Sequence, residues 1–230
     1  MIASVFTLGI NDIIVKGLSF KFPVWEIVFF RALSGVLVSI LLVIIFGFDS
    51  IRTKKPIGHM IRAFSAVACV VLFFFGIKLL LLAENQALFH SAPIIASILA
   101  VPILGEKIGF HRIIAVLIGF LGVLVILKPG TDLFNIYSLI SLGSGFFAAL
   151  TYLATRYLMA TETSISIIFY YSFALLFTSI FFISENFLMP SFSELVPLIS
   201  LGIVGSFGHY FASLAAKNAE VVIITPFEYS

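Results

Sequence analysis

Long apolar runs separated by short polar breaks follow one another from end to end of the chain. They cover residues 2–18, 23–46, 60–82, 87–104, 110–127, 136–153, 165–184 and 195–215, and a ninth runs from Ala219 to Ser230. A hydrocarbon core of about 30 Å takes roughly 20 apolar residues per helix. The first eight runs therefore have close to spanning length, and the ninth has about half of it. The runs are solidly apolar, unlike the short alternating segments of a transmembrane barrel. No break between them exceeds a loop. The pattern predicts an all-α integral membrane protein, a polytopic helix bundle forming a single membrane domain. Asn11, Asp12 and Lys16 interrupt the first run and no basic segment precedes it, so it is expected to be a true first helix and not a signal peptide.

Composition sharpens that picture. Hydrophobic residues make up 61% of the 230 and charged residues only 10%, far from the soluble-domain balance of about 45–50% and 25%. Mean hydropathy is +1.22. One Cys excludes a disulfide scaffold or a Cys-rich zinc site. A net charge of +2 excludes a nucleic-acid surface. Placing the N-terminus in the cytoplasm puts Arg52, Lys54, Lys55, Arg62, Lys107, Arg112, Arg156 and Lys217 on inside loops, with Lys16, Lys21, Lys78 and Lys128 outside. Eight against four favours that orientation, in a bacterial inner membrane.

Weak internal repetition adds a constraint. Pro93 and Pro226 lie 133 positions apart (226 − 93), and at this offset Leu81, Ala83 and Asn85 meet Leu214, Ala216 and Asn218. At an offset of 140, Lys16 meets Arg156 and Ile27-Val28-Phe29 meets Ile167-Ile168-Phe169. With five helices between equivalent positions, the halves 1–130 and 131–230 face opposite ways across the membrane. Inverted repeats of this kind are typical of secondary transporters, whose substrates bind near the midplane at the repeat interface. The second half then requires a tenth helix, and the sequence ends within the ninth.

The stretch Ala92-Pro93-Ile94-Ile95 to Leu104-Gly105-Glu106-Lys107, with Gly119-Phe120-Leu121-Gly122-Val123 and Lys128-Pro129-Gly130, resembles the first EamA repeat of the drug/metabolite transporter superfamily. Thr225-Pro226-Phe227-Glu228-Tyr229-Ser230 is similar to the start of the ninth helix in that family. Asn11-Asp12, Lys16 and Glu26-Ile27-Val28-Phe29-Phe30-Arg31 are similar to the first two helices of bacterial members that take up S-adenosylmethionine or riboflavin. The resemblance implies two inverted EamA-type repeats, ten helices with cytoplasmic termini, and transport of a small organic metabolite. The chain departs from this pattern by ending inside helix nine. It is expected to be either a fragment or a truncated product, and the runner-up reading is a non-transporting assembly subunit or an inactive remnant.

Ionisable groups inside apolar helices are costly, and each calls for a partner or a role. Asp12 and Lys16 sit i, i+4, which predicts an ion pair on one helix face; the functional alternative places them at a cavity mouth. Arg31 has no carboxylate one turn away in its own helix. It either finds a structural partner, in Asp12, Glu26 or a backbone carbonyl, or offers its planar fork to a carboxylate or phosphate. His90 and His209 are either neutral interhelical hydrogen-bonders or cavity groups near neutral pKa. Pro93 and Pro226 leave the carbonyls of Phe89 and Val222 without helical donors, and two such breaks at matched places point to a central site. Glu228 falls in the same zone. Tyr170 and Tyr171 are candidates to stack on a planar ligand, with interior packing as the plainer role. The expected substrate contacts are Arg31, His90, Tyr170, His209 and Glu228. Glu106 is expected to sit structurally in a turn before the fifth helix.

Other motifs carry no chemistry. Gly143-Ser144-Gly145-Phe146-Phe147-Ala148 matches a dinucleotide fingerprint but lies in an apolar run with no strand before it. Gly202-x-x-Gly205-x-x-Gly208 reads as close helix packing. No P-loop, metal-ligand spacing or nucleophile–base arrangement occurs, so no cofactor, metal or enzymatic activity is expected. The partners implied are a small organic molecule and the lipid bilayer, with a homodimer as the candidate assembly.

Overall fold

The computed structural model describes residues 1–105, 135–183, 187–224 and 227, with positions 109, 114, 118, 121, 122 and 125 between the first two blocks. The fifth predicted run contributes five helical positions, and Glu106, Pro226 and Glu228 lie outside the described residues. The helices are α1 (Ile2–Ser19), α2 (Val24–Phe46), α3 (Pro56–Leu79), α4 (Leu82–Phe89), α5 (Ala92–Leu104), α6 (Ser138–Met159), α7 (Ser164–Phe182), α8 (Phe192–Asn218) and the short α9 (Val221–Ile224). A 3-10 turn, Phe48–Ile51, follows α2. Among the described residues, seven helical segments are long and apolar enough to cross a membrane, counting Leu82–Leu104 as one. Among the described residues there is no strand. The protein is a polytopic helical membrane protein.

Local chemistry sets the helix ends. Gly47 stops α2 at φ 86°, a backbone conformation that residues with a Cβ rarely adopt. Pro56 opens α3 in the first turn, where its missing N–H costs nothing. The Thr163 hydroxyl accepts the Ser166 N–H at 3.0 Å to start α7. Ser191 and Glu194 form a reciprocal capping box at the start of α8.

The placement of Arg62 differs from the expectation. Arg62 was expected in an inside loop, but α3 begins at Pro56 and places Arg62 about two turns into the helix, only 2% exposed. Removing it leaves seven basic residues against four, so the charge asymmetry survives. The run 87–104, with its break expected at Pro93, divides into two helices at His90–Ser91, because Pro93 cannot donate to the Phe89 carbonyl. The polar Glu84-Asn85-Gln86 stretch is helical and belongs to α4. Asn85, fully buried, donates to the Phe73 carbonyl at 3.4 Å and accepts from the Ser141 hydroxyl at 2.5 Å. Interhelical bonds of this kind let a polar side chain stay inside a membrane bundle.

Helices before and after residue 130 interleave. α1 lies on α8 and α6 lies on α3, while α2 meets both α7 and α8. Small residues make the α2–α8 approach possible. A Cβ on Gly202 would overlap the Ser34 hydroxyl, the Arg31 carbonyl and the Gly35 nitrogen. Gly145 does the same for the α4–α5 break, where a Cβ would meet Ser91 Oγ at 2.6 Å and the Phe89 carbonyl at 3.1 Å. That contact explains the second glycine of the false dinucleotide motif.

Gly202→Leu is expected to destabilise the bundle by about 1–3 kcal/mol or more through overpacking. Gly9→Ala, where an added Cβ meets nothing within 4 Å, is the control. Thermal unfolding of detergent-purified protein checks the difference.

Candidate functional site: a charged cavity at the centre of the bundle

A cavity of about 120 Å³ lies between α1, α2, α3, α4, α6, α8 and α9. Its walls are largely apolar, with Leu8, Val70, Phe73, Phe74, Phe89 and Ile224. Into this lining project Asp12 from α1, Arg31 from α2, Arg62 from α3 and His209 from α8, with Thr151, Tyr152 and Thr155 from α6. A space holding two guanidinium groups and one carboxylate in a membrane bundle carries one cation in excess.

Arg31 is bound from the helix beside it. Its Nη1 donates to Asn11 Oδ1 at 2.5 Å, and Asn11 Nδ2 donates to the Leu201 carbonyl at 2.7 Å. The guanidinium also lies 5.4 Å over the Phe74 ring, within cation–π range. On its other side it rests against Gly205, where a Cβ would stand 3.1 Å from Nη2. Asn11 thus answers the question of Arg31's partner in preference to Asp12 or Glu26.

The Asp12–Lys16 pair does not form. Asp12 Oδ2 accepts from Gln86 Nε2 at 2.5 Å, while Lys16 Nζ donates to the carbonyls of Ile77 at 2.7 Å and Leu80 at 3.1 Å. Their i, i+4 spacing was real, but each side chain found a partner on another helix. Lys16 sits at the carbonyl-rich end of α3, where a cation is favoured, and Asp12 stays free to line the cavity.

Arg62 is held more loosely. Its Nε faces Thr155 Oγ1 at 3.4 Å and its Nη1 the Ile167 carbonyl at 3.5 Å, and its guanidinium lies 5.0 Å over the Tyr171 ring. Tyr171 meets His209 edge-on at 4.8 Å. Neither the Tyr171 hydroxyl nor His209 Nε2 has a hydrogen-bond partner, and both atoms are shielded from solvent.

Of the expected contacts, Arg31 and His209 come together here. His90 caps the end of α4 beside Phe89, away from the lining. Tyr170 lies in a separate groove with His59 and Met60, donating its hydroxyl to the Ile51 carbonyl at 3.1 Å. Glu228 and Pro226 are outside the described residues. Reading the sequence missed Arg62, and of the neighbouring Tyr170 and Tyr171 it chose Tyr170 as the contact. The available signal was Pro56, which fits a helix start six residues before Arg62. Among the described residues no cluster of His, Cys, Asp and Glu is able to hold a metal ion.

The sequence profile of the EamA-like transporter family matches residues 1–128. The chain belongs to that family. It is a membrane transporter and not an enzyme. It is 26% identical over 226 residues to a protein of Rickettsia prowazekii (strain Madrid E) named S-adenosylmethionine uptake transporter, covering 98% of this chain and 77% of that one. It is 28% identical over 226 residues to the pseudopaline exporter CntI of Pseudomonas aeruginosa (strain UCBPP-PA14), covering 97% and 79%. One solved crystal structure superposes with a TM-score of 0.70 at 17% identity, covering 98% of this chain and 82% of that one, which shows a shared fold.

This EamA-family protein also carries a carboxylate clasp at each face of the bundle. On the face of the α2–α3 loop, buried Glu162 from the α6–α7 turn accepts the Lys54 N–H at 3.1 Å through Oε1. Its Oε2 lies 3.4 Å from His59 Nε2. Beside it, Thr163 Oγ1 donates to the Ser50 carbonyl at 2.5 Å. On the opposite face, buried Glu26 at the start of α2 accepts the Leu188 N–H at 3.0 Å. The exposed Lys21–Glu194 pair, 2.6 Å apart, lies on the same side. Each clasp joins a helix start or turn from one half of the sequence to a loop of the other. Burial pushes the Glu162 carboxyl upward, but hydrogen bonds from Lys54 N–H, His59 and Thr53 outweigh it and hold the group below its ordinary 4.5.

A depressed folded value means that Glu162 stabilises the fold above about pH 4.5 and loses that contribution as the pH falls through the lower value. Glu162→Gln is expected to lower the unfolding temperature at pH 7 and to narrow its gap to the wild type as the pH drops below 4.5. Thermal unfolding across pH checks it.

Proposed function

We propose that this protein is a secondary transporter that moves a small organic metabolite across the bacterial inner membrane by alternating access through the central cavity. The observation that carries the reading is the group Asp12, Arg31, Arg62 and His209, set in apolar walls at the middle of a lipid-facing bundle. Intramembrane charges turned to a cavity mark a solute path. S-adenosylmethionine offers a carboxylate to a guanidinium and cationic centres to Asp12, pairings that uncharged riboflavin does not make. The Rickettsia relative's name supports uptake, and the Pseudomonas relative's name supports a metabolite of another kind moving outward.

The cavity volume of about 120 Å³ is below the roughly 300–1,000 Å³ of pockets for drug-sized ligands. The bundle therefore opens to admit such a solute. The two halves 1–130 and 131–230 act as inverted repeats in this reading. The reciprocal packing of α1 on α8 and of α6 on α3 supports it. The Glu162 and Glu26 clasps part in turn, each on its own face. The face of the α2–α3 loop, with Arg52, Lys54 and Lys55, is cytoplasmic on the positive-inside bias. Arg31 and His209 contact the solute, joined by Glu228, with Pro93 and Pro226 breaking their helices near the site.

Uptake of labelled S-adenosylmethionine by cells expressing the protein tests the proposal. Wild type is expected to accumulate it, and Arg31→Ala to lose at least tenfold of the initial rate at equal membrane abundance. Accumulation equal to that of cells lacking the protein overturns the substrate assignment.

A further inference from the structure

We infer that Arg62 and His209 Nε2, which line the cavity, and the Tyr171 hydroxyl beside them form an anion subsite at its wall, selecting solutes that carry a carboxylate or phosphate. The inference rests on the central cavity being the solute site and adds which residues hold which part of the solute. Arg62 is 2% exposed and Tyr171 4% exposed. The ion pairs among the described residues are Lys21–Glu194, Arg52–Asp49 and His59–Glu162, and Arg62 belongs to none of them. A guanidinium has five N–H donors. The two acceptors of Arg62 lie at 3.4 and 3.5 Å, beyond the usual 2.7–3.2 Å for N–H···O. Removing a cation from water without a counter-ion is strongly unfavourable unless something supplies negative oxygen.

Arg31 provides the internal comparison. It has a short bond to Asn11 and is boxed by Phe74 and Gly205, so its guanidinium is fixed in place by its neighbours. Arg62 has no such clamp. Tyr171 supplies the face on which its guanidinium lies and touches His209 along the other edge, which brings three under-used polar groups together. Carboxylate and phosphate both offer oxygens in a plane or tripod that a guanidinium fork and a hydroxyl hold together.

The test measures thermal midpoints of the purified full chain in detergent, without ligand and titrated with S-adenosylmethionine, inorganic phosphate or riboflavin. Wild type is expected to be stabilised by S-adenosylmethionine if the anion is a carboxylate, or by phosphate if it is a phosphate, and not by riboflavin. Arg62→Gln is expected to weaken that binding about ten- to hundredfold, the size of losing charge-assisted bonds. Its ligand-free midpoint is expected to equal or exceed that of wild type, because an uncompensated charge is gone. Tyr171→Phe removes one hydroxyl at constant shape and is expected to leave the ligand-free midpoint unchanged while weakening binding about threefold to tenfold. A ligand-free midpoint that falls in Arg62→Gln makes Arg62 a structural clamp and overturns the inference. So does affinity unchanged in both variants, or a wild type that responds to neither anion. None of these outcomes touches the transporter reading, which stands or falls on uptake.

Discussion

The chain of hydrogen bonds from Arg31 to Asn11 to the Leu201 carbonyl is the constraint on which the rest of the bundle depends. It links α2 to α1 and α1 to α8 through groups that would otherwise be stranded in a medium without water. In lipid an unpaired polar group costs several kcal/mol. The three helices therefore hold one register, in which every member of the chain is satisfied. That register requires α8 to approach closely enough for Gly202 and Gly205 to lie against Arg31. The glycines and the charge are one feature.

The same logic orders the other polar groups. Lys16 spends its charge on the end of α3, Asp12 meets Gln86 of α4, and Asn85 joins α4 to α3 and α6. Each is a polar residue in an apolar helix, and each is bonded to a different helix. Tertiary partners of this kind make a bundle specific where hydrophobic burial does not, since lipid is as apolar as a helix surface. Arg62, Tyr171 and His209 stand out against that background because their polar atoms are under-used. Glu26 Oε2, His59 Nδ1 and Ser91 Oγ are also unpaired, but among the described residues only Arg62, Tyr171 and His209 bring such groups together beside the cavity.

The loops between early and late helices are joined by a carboxylate on each face, Glu162 on one and Glu26 on the other, beside the Thr163–Ser50 bond and the Lys21–Glu194 pair. Each carboxylate binds a backbone N–H of the opposing loop. In the proposed alternating access these are the contacts that part. The α4–α5 break at His90–Ser91 adds a joint next to the cavity wall at Phe89.

Residue order alone determined the membrane class, the number and rough limits of most spans, the break at Pro93, the close packing at Gly202 and the transporter family. These follow from quantities local to a segment: apolar length, the absent donor of proline, the missing side chain of glycine. It also marked Arg31 and His209 as interior groups in need of a role. Only the tertiary structure decided what each polar residue meets. Asp12 and Lys16 share a helix face in any helix, yet they part because Gln86 and the Ile77 carbonyl come from elsewhere in the chain. Tyr170 and Tyr171 are neighbours in sequence, but a helix turns about 100° per residue, and Tyr171 alone meets His209 and Arg62. Arg62 read as a loop cation because charge in a sequence signals water. The fold could bury it because the bundle encloses a polar space, and an enclosed space is a property of several helices at once.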